Sequence, residues 1–269
     1  MTRRTFLVAA LAAQLDGQSW SPIFEERFAD ESFRKRWMLE GEADLDLHAE
    51  DGRKFLRIAT KQSAAKKSVH HSVLWYRERL AGDLRFVFRA RGQKGNGTIF
   101  YMNARTAAGS AYISIFDWQR PDAVEDRYSA SPDFEAYTLG FLRFPELNLR
   151  HVGGVTAAAW PKPWNEENTM RYERESIILG PPTPFGERIE EWHDFDLRIV
   201  GNRLSALVDG KPLFDFSDEG KTPQGTIRWT PLTGGGWTGF RNFQATWVDV
   251  EFLRIYRLAA GNGAPLRGH

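Results

Sequence analysis

His71, Tyr101, Asn148, Arg150 and Arg241 are residues of this chain whose types and surroundings suit chemistry. His71 alternates with Val69, Val73 and Trp75, so a strand here puts a titratable ring on an apolar face. By the same period of two, Tyr101 and Asn103 share a face, and so do Asn148 and Arg150. Arg150 can grip a carboxylate through two parallel N–H bonds, with the Asn148 amide beside it. A carboxylate partner next to a His or Tyr base is what β-elimination at a uronate requires. The cation or amide neutralises the carboxylate and the base takes the C5 proton, each worth about 10²–10⁴ in rate when well placed. His71, Tyr101, Asn148 and Arg150 are therefore the candidate catalytic groups. Asn103, Asp117 and Arg241 are candidate substrate contacts, and Trp118, Trp160 and Trp164 are candidate platforms for stacking on a pyranose. Plainer roles compete with each of these. His71 also suits a core imidazole bonded to a carbonyl, Arg150 an ordinary ion pair, and Asn103 the closing of a strand end.

Hydrolysis finds fewer parts. The chain holds no Glu-x-Asp-x-Glu triplet of the kind that sets a nucleophile and an acid on one strand face. Asp117 with a second carboxylate is the hydrolytic alternative. Asp194 and Asp196 share a face but alternate with core residues, which reads as solvent-facing charge on a structural strand. There is no His-Glu-x-x-His, no Asp-rich calcium loop and no Gly-x-Ser-x-Gly. No cofactor or metal is expected on these motifs, although scattered carboxylates leave a structural calcium open.

Lys and Arg number 36 against 35 Asp and Glu, so the expected partners exclude nucleic acid and anionic membranes, which need a basic excess. A local basic patch stays compatible with that balance. With no cysteine, disulfides and thiolate sites are excluded. Arg3-Arg4 followed by the apolar run Phe6 to Ala13 reads as a twin-arginine export signal over residues 1–18, too short to span a bilayer, which takes about 20 residues. The expectation is a periplasmic or secreted protein, with no membrane partner after export. Residues 19–260 would then be one domain and 261–269 a flexible tail.

The elements that must position these groups are strands. Phe195, Leu197 and Ile199 alternate with Asp194, Asp196 and Arg198, and Gly201-Asn202 turns the chain into Leu204 to Val208. Leu84, Phe86, Phe88 and Ala90 alternate with Arg85, Val87, Arg89 and Arg91. Further strands are expected over Ile23–Phe28, Val69–Tyr76, Thr98–Ala104, Ala111–Phe116, Tyr137–Phe144 and Asn148–Ala158, and a helical turn over Asp30–Arg34. Strands recurring at this spacing predict an all-β, antiparallel two-sheet sandwich. The proline-rich stretch 117–191 reads as long functional loops.

Certain words in this order resemble a known family. They include Arg36-Trp37-Met38-Leu39-Glu40-Gly41, His71-Ser72-Val73-Leu74-Trp75, Phe100-Tyr101-Met102-Asn103, Phe116-Asp117, Asn148-Leu149-Arg150 and Trp192-His193-x-Phe195. Val208-Asp209-Gly210 and the Gly-x-x-Gly-Phe-Arg stretch ending at Arg241 complete the set. Together they resemble the concanavalin A-like lectin/glucanase jelly rolls, and more narrowly the bacterial YesU-type proteins associated with polysaccharide utilisation. The resemblance implies a jelly-roll fold and a carbohydrate polymer or oligosaccharide as partner. Lectins, hydrolases and lyases share that fold, so it leaves enzyme, glycoside hydrolase and non-catalytic binding module all open.

Overall fold

Every sheet pairing in the computed structural model is antiparallel, and the strands fall into two sheets. The structure describes residues 19–61, 71–93, 96–108, 110, 113–117, 134–143, 146–153, 183–184, 190–221, 229–243 and 245–259, with backbone alone at 96–97, 141–143, 146–153 and 183–184. The expected signal, the expected tail, and Trp118, Trp160 and Trp164 lie outside the described residues.

Among the described residues one sheet has eight strands and the other seven; seven strands of the first run in the order β13 (Lys211–Ser217), β12 (Arg203–Val208), β11 (His193–Val200), β6 (Leu84–Gly92), β15 (Trp247–Leu258), β4 (Arg53–Thr60) and β3 (Ala43–Glu50). The eighth, β1 (Trp20–Glu26), pairs with the far end of β15. The strands of the other sheet run in the order β10 (Thr183–Pro184), β9 (Glu146–Gly153), β8 (Phe134–Arg143), β7 (Asn96–Thr106), β14 (Trp237–Asn242), β5 (Ser72–Tyr76) and β2 (Trp37–Glu40). A single helical turn, α1 (Phe33–Arg36), precedes β2. The all-β, antiparallel two-sheet sandwich expected from the alternation is what the chain forms.

Packing follows the period of two. In β6, Leu84, Phe86, Phe88 and Ala90 are buried while Arg85, Val87, Arg89 and Arg91 are half-buried on the other face. Phe88 stacks on Phe195 of β11 with ring centroids 4.7 Å apart, and meets Phe100 of β7 at 4.8 Å. Phe100 in turn meets Phe240 of β14 at 4.9 Å. These rings tie the two sheets together. Each fully buried ring contributes about 1.5–3 kcal/mol from area alone, plus about 0.5–1.5 kcal/mol per favourable pair. One end of the sandwich is closed by Asp218, whose buried carboxylate accepts the Tyr137 hydroxyl at 2.6 Å and the Trp229 indole N–H at 2.9 Å. Burial, with the Asp218 bond, pushes the Tyr137 hydroxyl far above its usual range and keeps it a donor.

Local expectations fail in two places. The strand expected over Ala111–Phe116 is instead a turn across 113–117, where Asp117 N–H donates to the Ser114 carbonyl and the Asp117 carboxylate accepts the Ser114 N–H. The strand before Tyr76 starts at Ser72, so His71 stands at its entrance rather than within it. Asp194 and Asp196 do lie on the outer face of a structural strand, and there they are paired. Arg89 grips Asp194 through two bonds at 2.8 Å, and Asp196 takes Arg85 at 2.8 and 2.9 Å together with Arg198. Asp249 is likewise held between Arg57 and Arg91, so the outer face of the eight-stranded sheet is a lattice of ion pairs.

Burial would raise the Asp196 carboxyl, but its bonds and charge contacts to Arg198 and Arg85 outweigh it and hold the group below its usual value. A folded-state pKa below the unfolded one contributes stability above the unfolded value, near 4, and loses it as pH falls through the folded value. Asp196→Asn should therefore cost about 2 kcal/mol in urea unfolding at pH 7. The deficit should shrink towards pH 3; an equal deficit at both pH values would contradict this role.

Candidate functional site

The candidate site lies on the outer face of the seven-stranded sheet, where strand register lines up two rungs. Thr138 pairs with Arg150, Tyr101 with Thr138, and Gly239 with both Tyr101 and Trp75. One rung on, Gly140 pairs with Asn148, Ile99 with Gly140, and Arg241 with both Ile99 and Val73. Positions two apart on a strand share a face. Arg150 thus occupies the Tyr101 rung and Asn148 the Arg241 rung, as backbone positions.

Arg241 is the hub. Its Nε donates to His71 Nδ1 at 2.8 Å and its Nη1 donates to the Tyr101 hydroxyl at 3.0 Å; Nη2 also contacts His71 Nδ1. A guanidinium can only donate, so Nδ1 must offer its lone pair and the imidazole is neutral with its proton on Nε2. All three side chains are buried. Burial raises the Tyr101 hydroxyl pKa more than the neighbouring Arg241 charge lowers it, so the phenol stays protonated at neutral pH. His71 and Arg241 also pack on Phe243, with the guanidinium 5.3 Å from the ring centre.

Two glycines make this arrangement possible. Trp75 stacks on Tyr101 at 5.1 Å, although β14 runs between their strands and backbones two strands apart lie about 9.5 Å apart. Gly239 is the residue between them, and a Cβ there would meet the Trp75 ring and the Leu74 carbonyl at 2.8 Å. Gly41, with φ of +78°, lets the chain leaving β2 pass the His71 carbonyl, which a Cβ would approach to 2.3 Å. Trp75 Nε1 donates to Glu40 at 2.8 Å, and Phe134 packs edge-on against Tyr101.

The remaining candidates fall elsewhere. Asn103 has φ of +50° at a bulge between Met102 and Arg105, and its amide donates to the Leu232 carbonyl at 2.7 Å. The bulge breaks the period, so Ala104 rather than Asn103 joins the Tyr101 cluster. Asn103 is a bulge residue within β7. Asp117 is exposed and engaged in its own turn. His193 Nδ1 lies 2.8 Å from Asp209 and fastens the turn after β12, a structural role. Sequence reasoning did not single out Glu40, Phe134 or Phe243 for this face, and nothing in their spacing marks them. Among the described residues, no group of three or more His, Asp or Glu is placed to hold a metal ion.

These features define an antiparallel β-sandwich of the concanavalin A-like, galectin-like class, and solved structures agree. The chain is similar to a protein of unknown function with a galectin-like fold from Bacillus subtilis, with a TM-score of 0.62 and 15% identity over 89% of this chain and 98% of that one. The catalytic domain of an endo-1,3-beta-glucanase (laminarinase) from Thermotoga petrophila RKU-1 gives 0.54 and 11%, over 90% and 100% of the two chains. The exoplasmic/lumenal domain of VIP36, in a Ca2+/Man3GlcNAc-bound form, gives 0.52 and 13%, over 90% of each chain. At these identities the likeness is one of fold. No family model and no curated protein matches the chain.

Two measurements check the site. Nitrogen-15 shifts of His71 at neutral pH should mark a neutral ring protonated at Nε2; a proton on Nδ1 would contradict the Arg241 contact. Gly239→Ala should destabilise the fold by about 1–3 kcal/mol through forced displacement of Trp75, whereas unchanged thermal unfolding would show that the indole does not need that space.

Proposed function

We propose that this protein is an exported, YesU-like jelly roll that recognises an acidic polysaccharide or oligosaccharide on the outer face of its seven-stranded sheet. The observation that carries this reading is the buried Arg241 guanidinium, oriented by two neutral partners, His71 and Tyr101. A guanidinium aimed by those two side chains, on a face walled by Trp75 and Phe243, suits a uronate carboxyl backed by an apolar sugar face. The register of Asn148 and Arg150 supplies positions for further polar contacts along the same two rungs. The twin-arginine pattern at Arg3-Arg4 supports export to the periplasm or beyond. The laminarinase and VIP36 neighbours support a glycan ligand only through the shared fold.

A second reading, elimination next to the uronate, is favoured by the 3.0 Å contact between Arg241 and the Tyr101 hydroxyl. That contact pairs a carboxylate-neutralising cation with a proton carrier. His71 is less suited to the role of base, because its lone pair is already taken by Arg241. The protonated Tyr101 suits delivery of a proton to the leaving oxygen, with the C5 proton passing to a water molecule that serves as base.

One experiment separates the outcomes. The full chain is titrated with pectic, ulvan-like, alginate and neutral glycans while unsaturated-uronate absorbance is followed. Acidic glycans should bind, and Arg241→Gln should weaken them by about 10–100-fold, as expected for losing a charged hydrogen-bond partner. Rising absorbance that is lost in Tyr101→Phe would establish the lyase, and binding without absorbance the non-catalytic role. Equal binding of neutral and acidic glycans, or wild-type affinity in Arg241→Gln, would overturn the proposal.

A further inference from the structure

A groove of about 770 Å³ crosses the outer face of the eight-stranded sheet, on the side of the sandwich away from Arg241. A bulge in β15 builds its floor. Val250 and Leu253 both belong to the core, and the register shift between Val250 and Phe252 leaves Glu251 and Phe252 side by side facing outwards. Glu251 there reaches Arg89 at 3.3 Å, and the Phe252 ring lies under Arg254 at 4.6 Å. The β3–β4 turn and the first residues of β4, Arg53 and Lys54, form one wall, and Asp194 stands across β6 on the other.

Five cationic and three anionic side chains line this groove, in a protein whose formal net charge is only +1. Pairing with groups beyond the lining shifts where that positive excess lies. Asp196 is already neutralised from outside the groove by Arg85 and Arg198. Arg27 and Arg254 share the single Glu25 carboxylate. Arg53 meets Glu251 only at 4.0 Å. Among the described residues Lys54 makes no carboxylate pair, its ammonium lying 3.5 Å from the Ala29 carbonyl oxygen. Arg53 and Lys54 are both exposed, so the least neutralised cations stand together at one wall.

The geometry points to a second saccharide site here, taking an acidic oligosaccharide whose carboxylate or sulfate meets Arg53 and Lys54. Its hydroxyls would donate to Asp194 and Glu251, and the Phe252 ring offers a face for a pyranose. The volume falls within the range of about 300–1,000 Å³ usual for ligand sites. Interleaved carboxylates select for this ligand class. A densely charged polyphosphate or nucleic acid would be repelled by Asp194 and Glu251, whereas a sparsely charged sugar chain can alternate hydroxyls with anions. The site goes beyond the Arg241 reading and stands whether or not that face binds or converts a glycan.

Titration calorimetry of the full chain with a defined oligogalacturonate, and separately with a carrageenan oligosaccharide carrying one sulfate per disaccharide, tests the groove. Arg53→Glu combined with Lys54→Glu should weaken binding of one or both by about tenfold or more and flatten its salt dependence, with thermal unfolding unchanged. A neutral cello-oligosaccharide should not compete. Arg241→Gln should leave this component of binding in place. Wild-type affinity in the double variant overturns the groove, as does absence of binding to both acidic probes in the wild type. Loss of all binding in Arg241→Gln alone overturns the groove while sparing the Arg241 proposal. Tighter binding of a single-stranded oligonucleotide than of either saccharide overturns the ligand class.

Discussion

A single buried guanidinium organises the outer face of the seven-stranded sheet. Arg241 sits on β14, between β5 and β7, and bonds His71 beside β5 and Tyr101 on β7, so one side chain spans three strands. Taking a cation out of water costs several kcal/mol unless its N–H groups are met. Here an imidazole lone pair and a phenol oxygen meet them without themselves bringing negative charge. The cost of burial is thereby reduced, through an imidazole and a phenol where the arginines of the other sheet meet carboxylates.

Those other arginines each meet a carboxylate, two of the acids being shared. Asp249 lies between Arg57 and Arg91, Asp194 against Arg89, and Asp196 between Arg85 and Arg198. Aromatic rings complete the lattice, with Arg91 4.7 Å from Trp192 and Arg57 4.3 Å from Trp247. Such pairs fix the twist and register of a sheet whose outer face would otherwise be a loose row of charges. The two outer faces therefore divide the work. One is chiefly a structural ion-pair lattice, interrupted by a groove at the β15 bulge; the other holds a buried guanidinium among rings.

Much of the architecture was legible in the sequence because alternation is local. Phe195, Leu197 and Ile199 against their charged neighbours, and the same pattern in Leu84 to Arg91, are read within nine residues and fold as read. The Arg241–His71 contact is not local: 170 positions separate the partners, and only the pairing of β14 with β5 brings them together. Asn103 was misassigned to the Tyr101 face because a bulge with positive φ has no signature in Phe-Tyr-Met-Asn. The expected strand over Ala111–Phe116 failed for a similar reason, since its alternation gave way to a turn stapled by Asp117. Gly239 shows the converse. It stood in a family word, but its purpose becomes clear only when Trp75 is seen lying across it.

The central claim is that Arg241 meets an acidic sugar. It is tested most directly by following the Arg241 side-chain Nε–H resonance while oligogalacturonate is added. The account predicts a saturable shift of that signal, accompanied by His71 and Tyr101. If the sugar binds and moves backbone signals elsewhere while the Arg241 resonance stays fixed, the account is contradicted.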